Sequence, residues 1–319
     1  MKIIPIPIPT PFPVGDVNVY LIREEPLTLV DTGPKTAEAL AALRAGLARE
    51  GVKLSDLRRV VLTHAHEDHC GLAKTIRDAS QDVEIFVHAW ETGHLFGRLD
   101  REENQHLLRR AGVPEDVRRK LRDFYAYHRI FTDSLAAGGF SELKDGAEIE
   151  FAGGVLRVLH TPGHTPGSCS LLREANRTLI AGDSVLKRIT PNPILAPDPV
   201  DETRRFRSLA EYLVSLARIR ACAPTLVYTG HGEPVSDFEE IFRRYVRSID
   251  GRQAQIAAAL DARGATAYDI AGKIFPDAVE KDSQRFLAVS EAIAHLDYAG
   301  QAGKIAVEAR EGVEFYRKL

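Results

Sequence analysis

The sequence predicts an α/β fold, and three observations carry that prediction. Short apolar runs such as Leu27-Thr28-Leu29-Val30, Val60-Val61-Leu62 and Leu226-Val227-Tyr228 end in turns rich in glycine and histidine. Between them lie segments with apolar residues at helical spacing. After about residue 236 the pattern changes to helices followed by a hairpin. The 319 residues suffice for one large domain and a small one.

Residues 2–30 read as strands. The opening Met1-Lys2-Ile3-Ile4-Pro5-Ile6-Pro7 fits an edge strand, because proline has no N–H to give a ladder and is tolerated where one side is unpaired. Residues 36–49 predict a helix with Leu40, Leu43 and Leu47 on one stripe. A strand at 59–62 comes next, then a helix starting over Gly71 to Arg77, then a strand at 83–87. A ββα unit that later repeats predicts an αββα sandwich.

Residues 90–135 break the pattern and predict a helical insertion, placed at about 90–140. Leu95, Leu99, Leu107 and Leu108 fall at roughly helical spacing. Pro114 followed by Glu115 and Asp116 is a helix start, since proline presets the first turn and acids suit the positive end of the helix dipole. Such an insertion is expected to roof a site and shape substrate choice. His94, His106, His128, Tyr125 and Tyr127 read as surface or packing residues, and Arg118-Arg119-Lys120-Leu121-Arg122 as a solvated helix face.

Residues 141–183 return to strands and turns. A proline-rich loop over 184–200 is a candidate substrate wall, with Lys187 read as a surface lysine. Residues 202–221 predict a helix with Phe206, Leu209, Leu213 and Leu216 inward. The tail shows helix patterns at 238–262, with a break near Gly251, at 267–275 and at 279–298. Thr266-Ala267-Tyr268-Asp269 opens the second with a capping-box pattern. Apolar-alternating segments flank Arg310-Glu311-Gly312 as in a hairpin. Helices followed by a hairpin resemble a winged-helix domain, so the chain divides into a domain over 1–236 and a small winged-helix-like one over 237–319.

The chemistry concentrates in His64-Ala65-His66-Glu67-Asp68-His69, which places three imidazoles and carboxylates directly after an apolar run. Neutral imidazole and carboxylate are ligands for zinc and its neighbours. In extended backbone, residues i and i+2 point the same way, so His64 and His66 can share one ion while Asp68 and His69 turn toward another. His164, Asp183 and His231 each lie just past a further apolar β-run, in Gly-rich turns. Ligands from one edge of a sheet can converge there while the sheet stays dry.

The motif His64-x-His66-x-Asp68-His69, followed in order by His164, Asp183 and His231, resembles the metallo-β-lactamase fold superfamily. Asp31-Thr32-Gly33 is similar to that family's early Asp motif. The resemblance covers about residues 1 to 236. It implies that His64, His66 and His164 hold one metal, that Asp68, His69 and His231 hold a second, and that Asp183 bridges them. Asp31 would lie outside the ligand set and orient a ligand imidazole. The superfamily's true β-lactamases lack a bridging Asp here, and its flavodiiron branch carries Glu where this chain has His66. Both activities are therefore disfavoured. The remaining branches are two-metal hydrolases: glyoxalase II-type thioesterases, lactonases, and phosphodiesterases or nucleases, with iron persulfide dioxygenases as a minor alternative. Members with a winged-helix-like tail include a group with endoribonuclease activity.

Composition limits these choices. The net charge of -3 gives no basic field for nucleic acid. Residues 240–319 carry 12 Lys or Arg against 12 Asp or Glu, so the tail lacks the basic footprint of a nucleic-acid binder. It is expected instead to pack on the catalytic domain, close one side of the cleft, or form a homodimer. No segment approaches the roughly 18–20 apolar residues of a membrane span, and the Ile-Pro opening does not read as a signal peptide. Three cysteines, Cys70, Cys169 and Cys222, form no paired motif and fit a reducing compartment, so a cytoplasmic protein is expected. Cys70 reads as a small buried residue rather than a ligand.

The expected activity is hydrolysis of a small-molecule ester, thioester or lactone. Two divalent ions, zinc first with iron or manganese as alternatives, would activate water, and Asp68 would handle its proton. The alternative is a phosphodiesterase or endoribonuclease. His160 is either a further proton donor or an imidazole that stabilises its turn.

Overall fold

Alternation along the strands decides the layering. In strand Val17–Ile22 every residue is buried. Val17, Val19 and Leu21 join one apolar cluster, while Tyr20 and Ile22 join another. Leu29 and Val30, and again Val60 and Val61, divide in the same way. Each strand therefore buries both faces, as a sheet must when it is covered on both sides.

The computed structural model describes residues 1–95, 101–135 and 140–319. Leu99 lies outside the described residues, as do the side chains of His94 and Tyr125. Ile3–Ile8, Val17–Ile22, Thr28–Val30, Arg59–Val61, Glu84–Val87 and Ser141–Glu142 form a six-stranded sheet in that order. It begins antiparallel and turns parallel from Thr28–Val30 onward. The Ile-Pro strand is its edge, with Pro5 and Pro7 exposed. A second, five-stranded sheet runs Leu226–Tyr228, Thr178–Ile180, Cys169–Arg173, Gly154–His160, Glu148–Phe151. Val30, Val61, Phe151, Val158 and Ile180 meet between the two sheets. Helices Ala37–Arg49 and Ala73–Ala79 cover the outside of the first, and Ser208–Ala221 and Phe238–Ala259 cover the second. The result is the αββα sandwich.

Two helices differ from expectation. Ser208–Ala221 starts six residues later than predicted because Arg205 leaves the helical path for a buried ion pair. Phe238–Ala259 runs unbroken through Gly251, which no other group crowds. A glycine there costs about 1 kcal/mol of helix propensity but imposes no kink. The Thr266–Asp269 capping box forms in both directions, at 3.1 and 3.0 Å. The tail then continues through Asp282–Gln301 into the hairpin Ile305–Arg310 and Val313–Lys318.

The insertion helices Arg101–Arg110 and Glu115–His128 do not form a layer of their own. Leu107, Leu108, Ala111 and Leu121 share one apolar core with Ile270, Phe286, Val289, Ile293 and Tyr316 of the tail. At the turn between the helices, a Cβ on Gly112 would come within 2.4 Å of Thr266. The Tyr268 N–H donates to the Ala111 carbonyl at 3.0 Å. Arg205 stitches this unit to the sandwich. It donates to Asp297 at 2.6 and 3.0 Å, to Glu314 at 2.6 Å and to the Tyr316 hydroxyl at 3.1 Å.

Candidate metal centre and cleft

The seven residues singled out in the sequence come together at one edge of the sandwich. Ring nitrogens of His64, His66 and His164 lie within 4.8 Å of one another, as do the ligand atoms of His64, His69 and Asp183 and those of Asp68, His69 and His231. Asp183 Oδ1 is 3.4 Å from His69 Nε2, and its Oδ2 is 3.6 Å from His164 Nε2 and 3.7 Å from His231 Nε2. Asp183 thus sits between the two groups. Asp68 Oδ2 is 3.3 Å from His231 Nε2.

The far side of three of the rings is already committed. His69 Nδ1 meets Asp31 Oδ2 at 2.8 Å, His164 Nδ1 the Asn192 carbonyl at 2.9 Å, and His231 Nδ1 the Asp16 carbonyl at 2.9 Å. A carbonyl or carboxylate there requires Nδ1 to carry the hydrogen, so in the neutral ring Nε2 is a lone pair aimed inward. Asp31 is held for this task in a left-handed backbone conformation (φ 60°). It also accepts from the Thr63 N–H at 2.8 Å and the Thr63 hydroxyl at 2.8 Å. The Thr63 hydroxyl in turn lies 3.1 Å from His64 Nδ1.

Among the described residues, His69 Nε2, His231 Nε2 and Asp183 Oδ1 are buried without a hydrogen-bond partner. Leaving buried polar atoms unpaired costs about 1–3 kcal/mol each, so three at one point mark a place built for something else. The backbone leaves room for it. A Cβ at Gly230 would lie 2.1 Å from Asp183 Oδ1 and 3.0 Å from the His69 ring. Five imidazoles and two carboxylates are a fitting donor set for a pair of divalent cations.

The electrostatics divide the donors into two sets. Burial, followed by the neighbouring rings of His69, His66 and His164, pushes His64 well below its usual range, so it is neutral. Burial would raise Asp183, but His231, His69 and His164 hold it well below the ordinary carboxylate range. Burial likewise opposes ionisation of Asp68, yet His69 and His231 bring it down to about 2. Burial would lower His69, but Asp183, Asp31 and Asp68 hold it up. Neutral His64 and the ionised Asp68 and Asp183 are in the forms a cation takes, whereas the carboxylates hold the His69 and His231 rings toward their protonated form, which a bound cation would displace.

Several contributors escape sequence reasoning. Glu91 is buried and accepts from the N–H of Ala65 at 2.9 Å, the N–H of Gly167 at 2.7 Å and the hydroxyl of Thr165 at 2.7 Å. One carboxylate thus ties the His64–His66 loop to the His164 loop. Nothing in the local sequence distinguishes it from the other acids of the insertion. Thr63 and Asn192 adjoin recognised segments, but the Asn192 contact to His164 is made by its backbone, to which sequence is blind. His160 is a turn-stabilising imidazole: its Nε2 meets the Pro166 carbonyl at 2.8 Å and its ring stacks on His88 at 4.3 Å. Lys187 pairs with Glu233 at 2.8 Å on the surface. His128 packs among Phe12, Phe124 and Phe131. Cys70 is buried, with its sulfur 3.4 Å from the Ala65 carbonyl, and burial pushes its thiol up.

A cavity of about 350 Å³ opens beside the centre. His66 and Glu67 of the ligand loop line it, Leu108 and Leu121 come from the insertion, Ile194 and Leu195 from the proline-rich loop, and Phe286 from the tail. The insertion, the loop and the tail therefore all wall the same cleft. No helix of the described residues is long and apolar enough to cross a membrane.

Comparison with known proteins gives a consistent picture. The family model of the metallo-beta-lactamase superfamily matches residues 12–231. A probable metallo-hydrolase of Bacillus subtilis, YqjP, is 34% identical over 98% of this chain and 94% of its own length. A beta-lactamase-like protein 2 homolog of Caenorhabditis elegans is 26% identical over 84% of this chain and 74% of its own. Among solved structures, a metallo-beta-lactamase family protein of Thermus thermophilus superposes with a TM-score of 0.85 at 28% identity, over 99% of this chain and 98% of the other. A beta-lactamase domain protein of Burkholderia ambifaria gives 0.83 at 26%, over 99% and 92%. Both superpositions extend through the insertion and the tail.

Proposed function

The chain belongs to the metallo-beta-lactamase superfamily, and on that premise we propose that it hydrolyses a small ester, thioester or lactone with two divalent cations, zinc by donor chemistry. His64, His66 and His164 would hold one cation, Asp68, His69 and His231 the other, and Asp183 would bridge them. The observation that carries this reading is the convergence of three unpartnered buried atoms, His69 Nε2, His231 Nε2 and Asp183 Oδ1. Bound there, the pair would supply a water of near-neutral pKa and Lewis acidity toward the attacked carbonyl.

The protein's own groups do the rest. Asp31, Asn192 and Asp16 fix the ring orientations through Nδ1. Asp68, ionised beside His231, orients the attacking water and takes its proton at a carboxylate oxygen. Glu91 keeps the two ligand loops in register. Within the superfamily, Asp183 together with the full histidine set favours the glyoxalase II-like branch. The helices and hairpin after residue 236 are read as a winged-helix-like tail that serves as a cleft wall.

The test is hydrolysis by metal-quantified protein of matched aryl ester, thioester, lactone and phosphodiester substrates, alongside structured and single-stranded RNA. Carbonyl turnover that tracks metal content, without RNA cleavage, is the expected result. RNA or phosphodiester cleavage that tracks metal content overturns it in favour of a nuclease.

A further inference from the structure

The cavity beside the centre carries its own chemistry. Building on the hydrolase reading, we infer that it is an acyl-group pocket, and that the substrate is uncharged and carries an apolar chain lying between the insertion and the tail. Leu108, Leu121, Ile194 and Phe286 form its walls, supplied by three separate segments. Leu108, Leu121 and Phe286 are buried and belong to the core that joins insertion to tail, so this wall is preformed. His66, a residue of the centre, also lines the cavity and so joins the two. A volume of about 350 Å³ is in the range of small-molecule sites, and such sites are apolar with a few polar groups that fix orientation.

Charge around the cavity selects further. Its described charged groups include Asp198 and Glu202 but only one cation, Arg122. Glu91, also at its edge, is committed to the loop N–H groups. Away from the metal centre itself, a polyphosphate or polynucleotide would meet more carboxylates than cations there. An uncharged acyl ester or lactone meets no such cost, and each methylene it buries is worth about fourfold in kcat/KM.

The cavity has a built-in reporter. Trp90 is the chain's single tryptophan, lines the cavity and is 41% exposed. Its fluorescence therefore reads occupancy without any turnover. In the metal-loaded full-length protein, straight-chain alcohols from butanol to decanol are titrated against Trp90 emission. In parallel, kcat/KM is measured for acetyl, butyryl, hexanoyl, octanoyl and decanoyl esters of one phenol. Affinity and kcat/KM are expected to climb together with chain length and then level off. Ile194→Phe should move the plateau to shorter chains, and Phe286→Ala should move it to longer ones, with metal content unchanged in both. Two variants with opposite predicted shifts guard against simple misfolding, which would lower every chain length alike.

A flat chain-length profile in both readouts overturns the pocket. So does a plateau that neither variant moves. A rising alcohol affinity with no ester turnover at any length supports the pocket and counts against the hydrolase reading. A clear preference for octanoyl-coenzyme A over the uncharged N-acetylcysteamine thioester overturns the inference that the substrate is uncharged.

Discussion

Among the described residues, two clusters of buried charge are built on opposite principles. Around Arg205, every guanidinium nitrogen is answered: Asp297 takes two donors, Glu314 one, and the Tyr316 hydroxyl another. Arg110 and Arg207 close the outer side of the same carboxylates, at 2.6 and 3.2 Å. Around Asp183 the reverse holds. Carboxylates and rings are pressed together at 3.3–3.7 Å and still leave buried atoms without a hydrogen-bond partner. A satisfied buried network fixes one arrangement of the chain, whereas an unsatisfied one is tolerated only where a function needs it.

Breaking the satisfied cluster should have the largest effect on folding. Arg205→Ala leaves Asp297 and Glu314 buried with weakened partners, and removing one member of such a network costs about 3–5 kcal/mol. The expected outcome is a large drop in the urea midpoint, with metal bound per folded chain unchanged. If metal content fell while the midpoint held, the two clusters would not be separable in this way.

Breaking the unsatisfied cluster should leave the fold and remove the chemistry. Asp183→Ala deletes the group between the two triads. Metal content should fall toward one ion per chain and hydrolysis by about 10²–10³-fold, the scale of losing one preorganised electrostatic contact. Plasma emission spectrometry and steady-state kinetics on the same preparation check both. Unchanged stoichiometry and rate would sink the two-metal reading.

The same contrast explains what can be read from the sequence. Each centre residue sits at the end of an apolar run, so strand, turn and ligand are written within a few consecutive residues. His64 to His69 can be recognised for that reason. The cleft wall has no such signature. Leu108 and Leu121 are an ordinary helix stripe until they meet Phe286, more than 150 residues later. The helix start at Ser208 is not legible because Arg205 obeys a tertiary ion pair rather than local propensity. Glu91 is invisible because its partners are backbone N–H groups of two remote loops. Local chemistry is legible, and long-range complementarity is not.

A smaller effect probes how the centre is held rather than what it contains. Asp31→Asn keeps the side-chain size, and asparagine tolerates the left-handed backbone found there. It removes the charge that orients His69 through Nδ1. Losing such a partner typically costs about 10- to 100-fold in metal affinity. Competition with a chelator of known affinity measures it, and an unchanged affinity would show that Thr63 and the loop backbone suffice.

The smallest effect concerns the tail and depends on pH. His295 is buried there, with Nδ1 2.9 Å from Gln253 Nε2. Burial, and then the Arg252 charge, push its pKa down to about 3. An unfolded histidine titrates near 6.5. Between those values the unfolded chain binds a proton that the folded chain refuses, so stability is full above about 6.5 and is lost as pH falls toward 3. The loss attributable to this residue should reach about 1.5 kcal/mol between pH 6.5 and 5. Glu291 nearby is raised by burial and pulls the other way, because its folded form accepts a proton more readily than its unfolded one. The informative quantity is therefore the difference between wild type and His295→Gln, read from urea midpoints at each pH. That difference should shrink as pH falls, since the variant escapes the penalty. A difference constant with pH would mean that His295 accepts its proton in place. The tail would then lack the rigidity that its shared core with the insertion implies.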